Sequence, residues 1–301
     1  MILCCGEALI DMLPRETAAG ESAFAPHAGG SVFNTAIALG RLDAPVQFFS
    51  GLSSDLFGDV LRAELAASQV DASPADISDR PTTLAFVKLT DGHASYAFYD
   101  ENTAGRMLSA DDLPKVSADA LFFGGISLMV EPSGASYEAL MLREAPNRLT
   151  MIDPNIRPSF IRDETAYRTR LTRMMGAADI IKTSDEDFEW IVGNADANAL
   201  LASTGAQVIL LTRGGDGVSI VTADGTYDVA AEKAQVVDTV GAGDTFSAGF
   251  MAQLHKSGHL TKDGIKQATE TDLRAAAAFG AKVAAITVSR AGANPPWTSE
   301  L

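Results

Sequence analysis

Two short stretches of this sequence place glycines and polar side chains where a helix should begin. The first is Asp238-Thr-Val-Gly-Ala-Gly-Asp-Thr-Phe246, a glycine-bearing turn running into a helical pattern of Phe246, Phe250, Met251 and Leu254. Gly241 and Gly243 permit a tight turn and close backbone approach, and the first amides of a helix have no intrahelical acceptor. With the helix dipole, these amides suit negative charge that develops during a reaction. Asp244 falls at the helix start. The dipole there favours its ionised form, ready to take a proton from a hydroxyl. The competing reading is a plain N-cap.

The second stretch is Gly29-Gly-Ser-Val-Phe-Asn-Thr-Ala36, with Ser31 as the expected N-cap. Gly29 and Gly30 would let a small polar ligand touch the backbone, and the amide of Asn34, one turn into the helix, can both donate to and accept from a hydroxyl. An ordinary capped helix is the alternative. Two familiar nucleotide motifs do not fit. Phe246 stands where G-x-G-x-x-G needs its last glycine, and no G-x-x-x-x-G-K-[ST] loop occurs. His255 and His259 are four apart, but Gly258 intervenes and no third ligand follows, so a helix end is favoured over zinc.

The elements that must position these residues follow from composition and rhythm. The chain has 301 residues, 47% apolar and 21% charged, which suits a globular protein read here as a single domain over 1–301. A net charge of −16 disfavours nucleic acid and anionic membrane surfaces, but a small phosphate ligand can still be held by local backbone dipoles. Cys4 and Cys5 are adjacent and cannot staple distant segments. Met1 to Asp11 does not read as a secretion signal, and Ala275 to Val288 is too short to span a bilayer. A reducing, cytoplasmic setting is expected.

Apolar runs alternate with helical patterns, the signature of an α/β fold with a central, mainly parallel sheet flanked by helices. Expected strands are Ile2 to Cys5, Val46 to Ser50, Ala120 to Phe123, Thr150 to Asp153, Asp179 to Lys182 and Gln207 to Thr212. Expected helices are Ser31 to Leu42, Phe57 to Ala67, Ser136 to Arg143, Asp185 to Val192, Asp244 to His255 and Asp272 to Ala284. One region breaks the rhythm. Thr82 to Leu89 and Ala94 to Tyr99 read as an antiparallel hairpin about a Thr90-Asp91-Gly92-His93 turn. With the stretch from Ile10 to His27 it would form a small β lid, over approximately 10–27 and 82–105.

The paired segments Gly29-Gly-Ser-x-x-Asn-x-Ala36 and Asp238-Thr-x-Gly-Ala-Gly-Asp244 resemble the two signatures of the ribokinase-like, or PfkB-type, carbohydrate kinase family. The likeness continues through Gly6-Glu-Ala-Leu-Ile-Asp11, Asp153-Pro-Asn-Ile-Arg157, Thr212-Arg-Gly-Gly-Asp-Gly217 and Arg290-Ala-Gly-Ala-Asn294. Within the family the pattern is most similar to bacterial fructokinases. This resemblance implies ATP-dependent phosphorylation of a sugar hydroxyl, with Asp244 as base and Gly241, Ala242 and Gly243 as the anion hole. It implies that Asp11, Gly30 and Asn34 hold the sugar, that Arg106 and Arg157 reach the sugar or the moving phosphate, and that Ser184, Thr212, Gly214 and Gly217 meet the nucleotide. It further implies Mg²⁺ near Asp187, K⁺ near Asp238 and a homodimer through the lid.

Two departures bear on function. Where relatives carry Asn-x-x-Glu, this chain has Ser184-Asp-Glu-Asp187, which keeps a carboxylate for water-mediated Mg²⁺ contacts and loses an amide. Where relatives acting on acidic sugars carry a lid arginine, this chain has Asp100, which would repel a substrate carboxylate and so favours fructose over ketodeoxygluconate. A tagatose-type sugar, a nucleoside and a noncatalytic sugar sensor are the other readings.

Overall fold

A computed structural model describes residues 1–90, 93–193 and 196–301. The chain opens with β1 (Ile2–Cys5), β2 (Leu9–Glu16), β3 (Ser22–Gly29) and α1 (Ser31–Arg41), followed by β4 (Val46–Phe49), β5 (Gly51–Ser53), α2 (Leu56–Ala67) and β6 (Asp76–Ser78). A hairpin of β7 (Leu84–Thr90) and β8 (His93–Tyr99) comes next; residues 91 and 92 of its expected turn lie outside the described residues. Strand and helix then alternate through β9 (Ala120–Gly124), α3 (Ser133–Glu144), β10 (Leu149–Asp153), α4 (Glu164–Met175), β11 (Ile180–Ser184) and α5 (Asp185–Val192). After α6 (Ala197–Thr204) and β12 (Val208–Thr212), the antiparallel β13 (Val218–Thr222) and β14 (Gly225–Val229) precede α7 (Ala242–Lys256) and α8 (Glu270–Val288).

Eight strands form the main sheet in the order β14-β13-β12-β11-β10-β9-β1-β4, parallel from β12 to β4. Its central strands are buried and mostly apolar because helices cover both faces, with Asp153 and Lys182 as charged exceptions in β10 and β11. Successive residues still alternate between those faces: Ile2 and Cys4 enter one core, Leu3 and Cys5 the other. The polar helix α4 escapes the hydrophobic rhythm, since its inward face of Tyr167, Leu171, Met174 and Met175 is interleaved with arginines and threonines. Asp163 caps it by accepting from the Ala166 amide.

From β1 the chain goes to β4 on one side of the sheet, yet β9 lies on the other. This reversal leaves a crevice beyond the carboxyl ends of β1 and β9, where doubly wound sheets hold ligands. A second sheet, β3-β2-β7-β8, stands over it and is built from the two expected lid segments. Cross-strand register puts Asp11, Ala85 and Phe98 on one face and Met12, Phe86 and Ala97 on the other. The first face carries Asp11 and Phe98 into the crevice.

Helix α7 is pressed between α1 and α8. A Cβ on Gly280 would lie 2.7 Å from the Phe246 carbonyl oxygen, so only glycine lets α8 approach this closely. Replacing Gly280 by valine is expected to destabilise the fold by about 1–3 kcal/mol in urea unfolding, through overpacking. An unchanged midpoint would contradict this packing.

Candidate active site

The crevice is a cavity of about 450 Å³. Its walls come from the ends of the parallel strands, the lid and the first turn of α7. Gly241 begins that helix at φ 78°, a left-handed turn that glycine adopts without strain. The amides of Gly243 and Asp244 take no acceptor among the described residues, whereas the Ala242 amide, expected in the anion hole, donates to the Thr239 carbonyl at 3.3 Å; Gly241, Ala242 and Gly243 all line the cavity.

Asp244 is not an N-cap, because Gly241 holds that position and no side chain caps the helix. Its carboxylate instead reaches across to α1. Oδ2 accepts from Asn34 Nδ2 at 2.8 Å, and Oδ1 accepts from Ser31 Oγ at 2.8 Å and from Asn155 Nδ2 at 3.4 Å. Asn155 also donates to Ser31 Oγ at 2.7 Å, which orients that hydroxyl toward the carboxylate. Asn34, expected to hold sugar, therefore spends its NH₂ on Asp244 and leaves its carbonyl oxygen for other donors. Ser31, expected as the N-cap of α1, is its first helical residue; Gly30 precedes it as the cap.

Ionisation departs from the helix-start expectation. Burial pushes Asp244 up to about 6, outweighing the hydrogen bonds from Asn34 and Ser31 that pull it down. Asp11 also rises to about 6, through burial and the nearby Asp244 charge. Asp187 rises to about 6 as well, through burial and Asp153. At neutral pH all three remain mostly charged, packed around one small volume.

Sequence reasoning overlooked the group that offsets them. Lys182 is buried in the cavity wall with Nζ 2.8 Å from Asp153 Oδ2. Burial alone would lower its pKa, but Asp153 overrides this and the net shift is upward. A lysine inside the apolar run Ile180-Ile181-Lys182 was the available signal, since buried lysines are rare unless paired. Glu7 was also overlooked as a site residue. Buried beside Gly30 and Gly125, it accepts from the Ser31 amide at 2.9 Å and the Ser127 amide at 3.3 Å, tying β1 to the start of α1.

The remaining expected residues divide. Asp11, Gly30, Arg157, Ser184, Asp187 and Thr212 line the cavity. Gly214 and Gly217 lie outside its lining, in the turn joining β12 to β13. Arg106 does not line it either: its Nη1 is 2.7 Å from Asp100 Oδ2 and its Nε donates to the Glu131 carbonyl at 3.2 Å. That pair also corrects the Asp100 argument. Asp100 is buried against a cation rather than presented to substrate, so it cannot be the group that repels an acidic sugar. Asp238 clips two loops, accepting from the Val240 amide at 3.0 Å and the Gly292 amide at 2.9 Å.

The cavity offers few protein donors to a divalent ion. No cluster of three or more His, Cys, Asp or Glu that could hold a metal occurs among the described residues. Asp187 keeps one oxygen without a protein donor while the other accepts from the Ile156 amide at 3.1 Å. A single available carboxylate suits Mg²⁺, which retains several waters and binds largely through substrate phosphates.

Comparison with known proteins agrees with this geometry. The profile of the "pfkB family carbohydrate kinase" matches residues 1–300. A fructokinase of Rhizobium leguminosarum bv. trifolii is 52% identical over 279 residues, covering 91% of this chain and 86% of the relative. Fructokinase-1 of Zea mays is 31% identical over 315 residues, covering 100% and 95%. The crystal structure of a fructokinase with bound ATP from Xylella fastidiosa superposes with a TM-score of 0.88 at 30% identity, covering 97% and 93%. The architecture is thus ribokinase-like, as the paired signatures implied.

The Asn34 bond gives a direct test of the electrostatics. Because that amide pulls the Asp244 pKa down, Asn34→Ala is expected to move it upward from about 6, read by isotope-edited infrared titration of the carboxyl. A downward shift or none would contradict the assignment.

Proposed function

The chain belongs to the pfkB family of carbohydrate kinases, and on that premise we propose that it transfers the γ-phosphoryl group of ATP to fructose, giving fructose 6-phosphate. The observation that carries this reading is the juxtaposition of a buried, hydrogen-bonded Asp244 with the unpaired amides of α7, in a chain 52% identical to a fructokinase. In the proposed reaction, Asp244 accepts the proton of the primary hydroxyl. The hydroxyl oxygen bonds to the γ-phosphorus as the bond from phosphorus to the bridging oxygen breaks, and ADP leaves. The first amides of α7 stabilise the charge spread over the moving group, the main task of a protein in such transfers.

Asp11, Gly30 and the carbonyl of Asn34 are proposed to hold the sugar, with Arg157 at the cavity mouth facing the sugar or phosphate. Ser184 and Thr212 are proposed to meet the nucleotide, with Gly214 and Gly217 beyond them. Mg²⁺, carried with ATP and held through water by Asp187, would neutralise phosphate charge. K⁺ is proposed at the Asp238 carboxylate, whose oxygens retain lone pairs beyond the two amide bonds. The reaction is placed in the cytoplasm. No helix among the described residues is long and apolar enough to cross a membrane.

The outer lid face supports a homodimer. Phe24 is 48% exposed and Tyr99 63%, and both pack edge-on against Phe86. Exposed aromatics on an open sheet invite a second copy. Sedimentation is expected to give twice 31.5 kDa, and Phe24→Glu to return the monomer; a monomeric wild type would overturn the dimer.

Coupled-assay turnover of fructose with Mg²⁺-ATP tests the activity, and response to another sugar in place of fructose would overturn the substrate. Asp244→Ala is expected to lower kcat by about 100–10,000-fold, the range for losing a general base. The base works deprotonated, so kcat/KM should hold above about pH 7 and fall through about 6, reaching a tenth or less near pH 5. A profile flat down to pH 5 would exclude Asp244 as base.

A further inference from the structure

Among the described residues, the cavity wall carries five carboxylates, Glu7, Asp11, Glu186, Asp187 and Asp244, and two cations, Arg157 and Lys182. A polyphosphate entering this volume meets an excess of like charge, and Arg157 is exposed at the rim. Lys182 is the buried cation. It follows Ile181, whose strand β11 pairs with β10 at Ile152, the residue before Asp153, so sheet register sets lysine and aspartate side by side. Asp153 takes one of the three N–H bonds of the ammonium, at 2.8 Å, and no second acceptor lies within reach among the described residues. The ammonium also abuts the anion hole: a Cβ built on Gly243 would sit 3.0 Å from Nζ.

We propose that Lys182 is a further catalytic residue, its ammonium, seated beside the first turn of α7, donating hydrogen bonds to non-bridging oxygens of the transferring phosphoryl group. Lys182 keeps its proton throughout; Asp244 alone accepts the proton of the hydroxyl. Asp153 aims the ammonium and leaves its own Oδ1 buried without a partner. A long, flexible lysine suits this task, because it can lean toward an arriving anion without breaking the strand that carries it.

The proposal rests on the kinase reading, so wild-type turnover in the same assay is measured first, and the sugar it accepts is used for every variant. Lys182→Met is expected to lower kcat by about 100-fold, the scale for losing one preorganised donor, with little change in KM for the sugar. That variant strands Asp153 and could unfold, so the deciding protein is Lys182→Met combined with Asp153→Asn, which removes both charges of the buried pair. It is expected to recover the wild-type melting temperature and remain about 100-fold slow. Lys182→Cys, aminoethylated with bromoethylamine, is expected to regain at least a tenth of kcat. A double variant within threefold of wild-type kcat would reduce Lys182 to a structural ion pair, and a folded, aminoethylated protein that stays inactive would overturn the proposal equally.

Discussion

A carboxylate kept out of water and yet kept charged is the demand to which the rest of this structure answers. Asp244 lies buried at the first turn of α7, where burial alone would favour the neutral acid. Asn34 and Ser31 donate to it from α1, Asn155 braces Ser31, and Glu7 anchors the backbone from which α1 starts. Three chain segments far apart in sequence thus hold one functional group. The pressed contact of α7 against α8 at Gly280 fixes the other side of the same helix. A carboxyl poised near 6 is ionised at neutral pH and a stronger base than a solvent-exposed aspartate.

The electrostatics of the cavity follow from that demand. Asp11 and Asp187 share the volume, and both are pushed up to about 6 by burial and by neighbouring acids. Such a site would reject a nucleotide if side-chain charge were all that mattered. The α7 amides, which carry no titratable group, and the Lys182 ammonium supply the opposing field. Arg106 is paired with Asp100 and lies outside the cavity lining.

Much of the site was legible in the sequence because backbone geometry wrote it there. A glycine turn feeding a helix announces free amides, and Asp244, Gly241, Ala242 and Gly243, singled out on that basis, do line the cavity, although the Ala242 amide pairs with Thr239. The central strands were legible for a similar reason, since strands buried on both faces read as short, mostly apolar runs. Helix α4 was missed because its inward face is thin and interrupted by arginines. Partnership was the illegible part: no local pattern could say that Asn34 turns toward Asp244, that Asp100 seizes Arg106, or that Lys182 meets Asp153 across neighbouring strands. The helix-dipole argument for Asp244 gave the wrong sign for its shift, because desolvation depends on tertiary burial that local sequence does not display.

The most direct test is a crystal structure with fructose, ADP and a planar phosphoryl mimic bound together. This account predicts the primary hydroxyl oxygen within about 3.2 Å of an Asp244 oxygen, in line with the mimic and the departing ADP oxygen, and the Gly243 and Asp244 amides directed at the mimic's equatorial atoms. A hydroxyl bound out of reach of Asp244, or a mimic turned away from the first turn of α7, would contradict it.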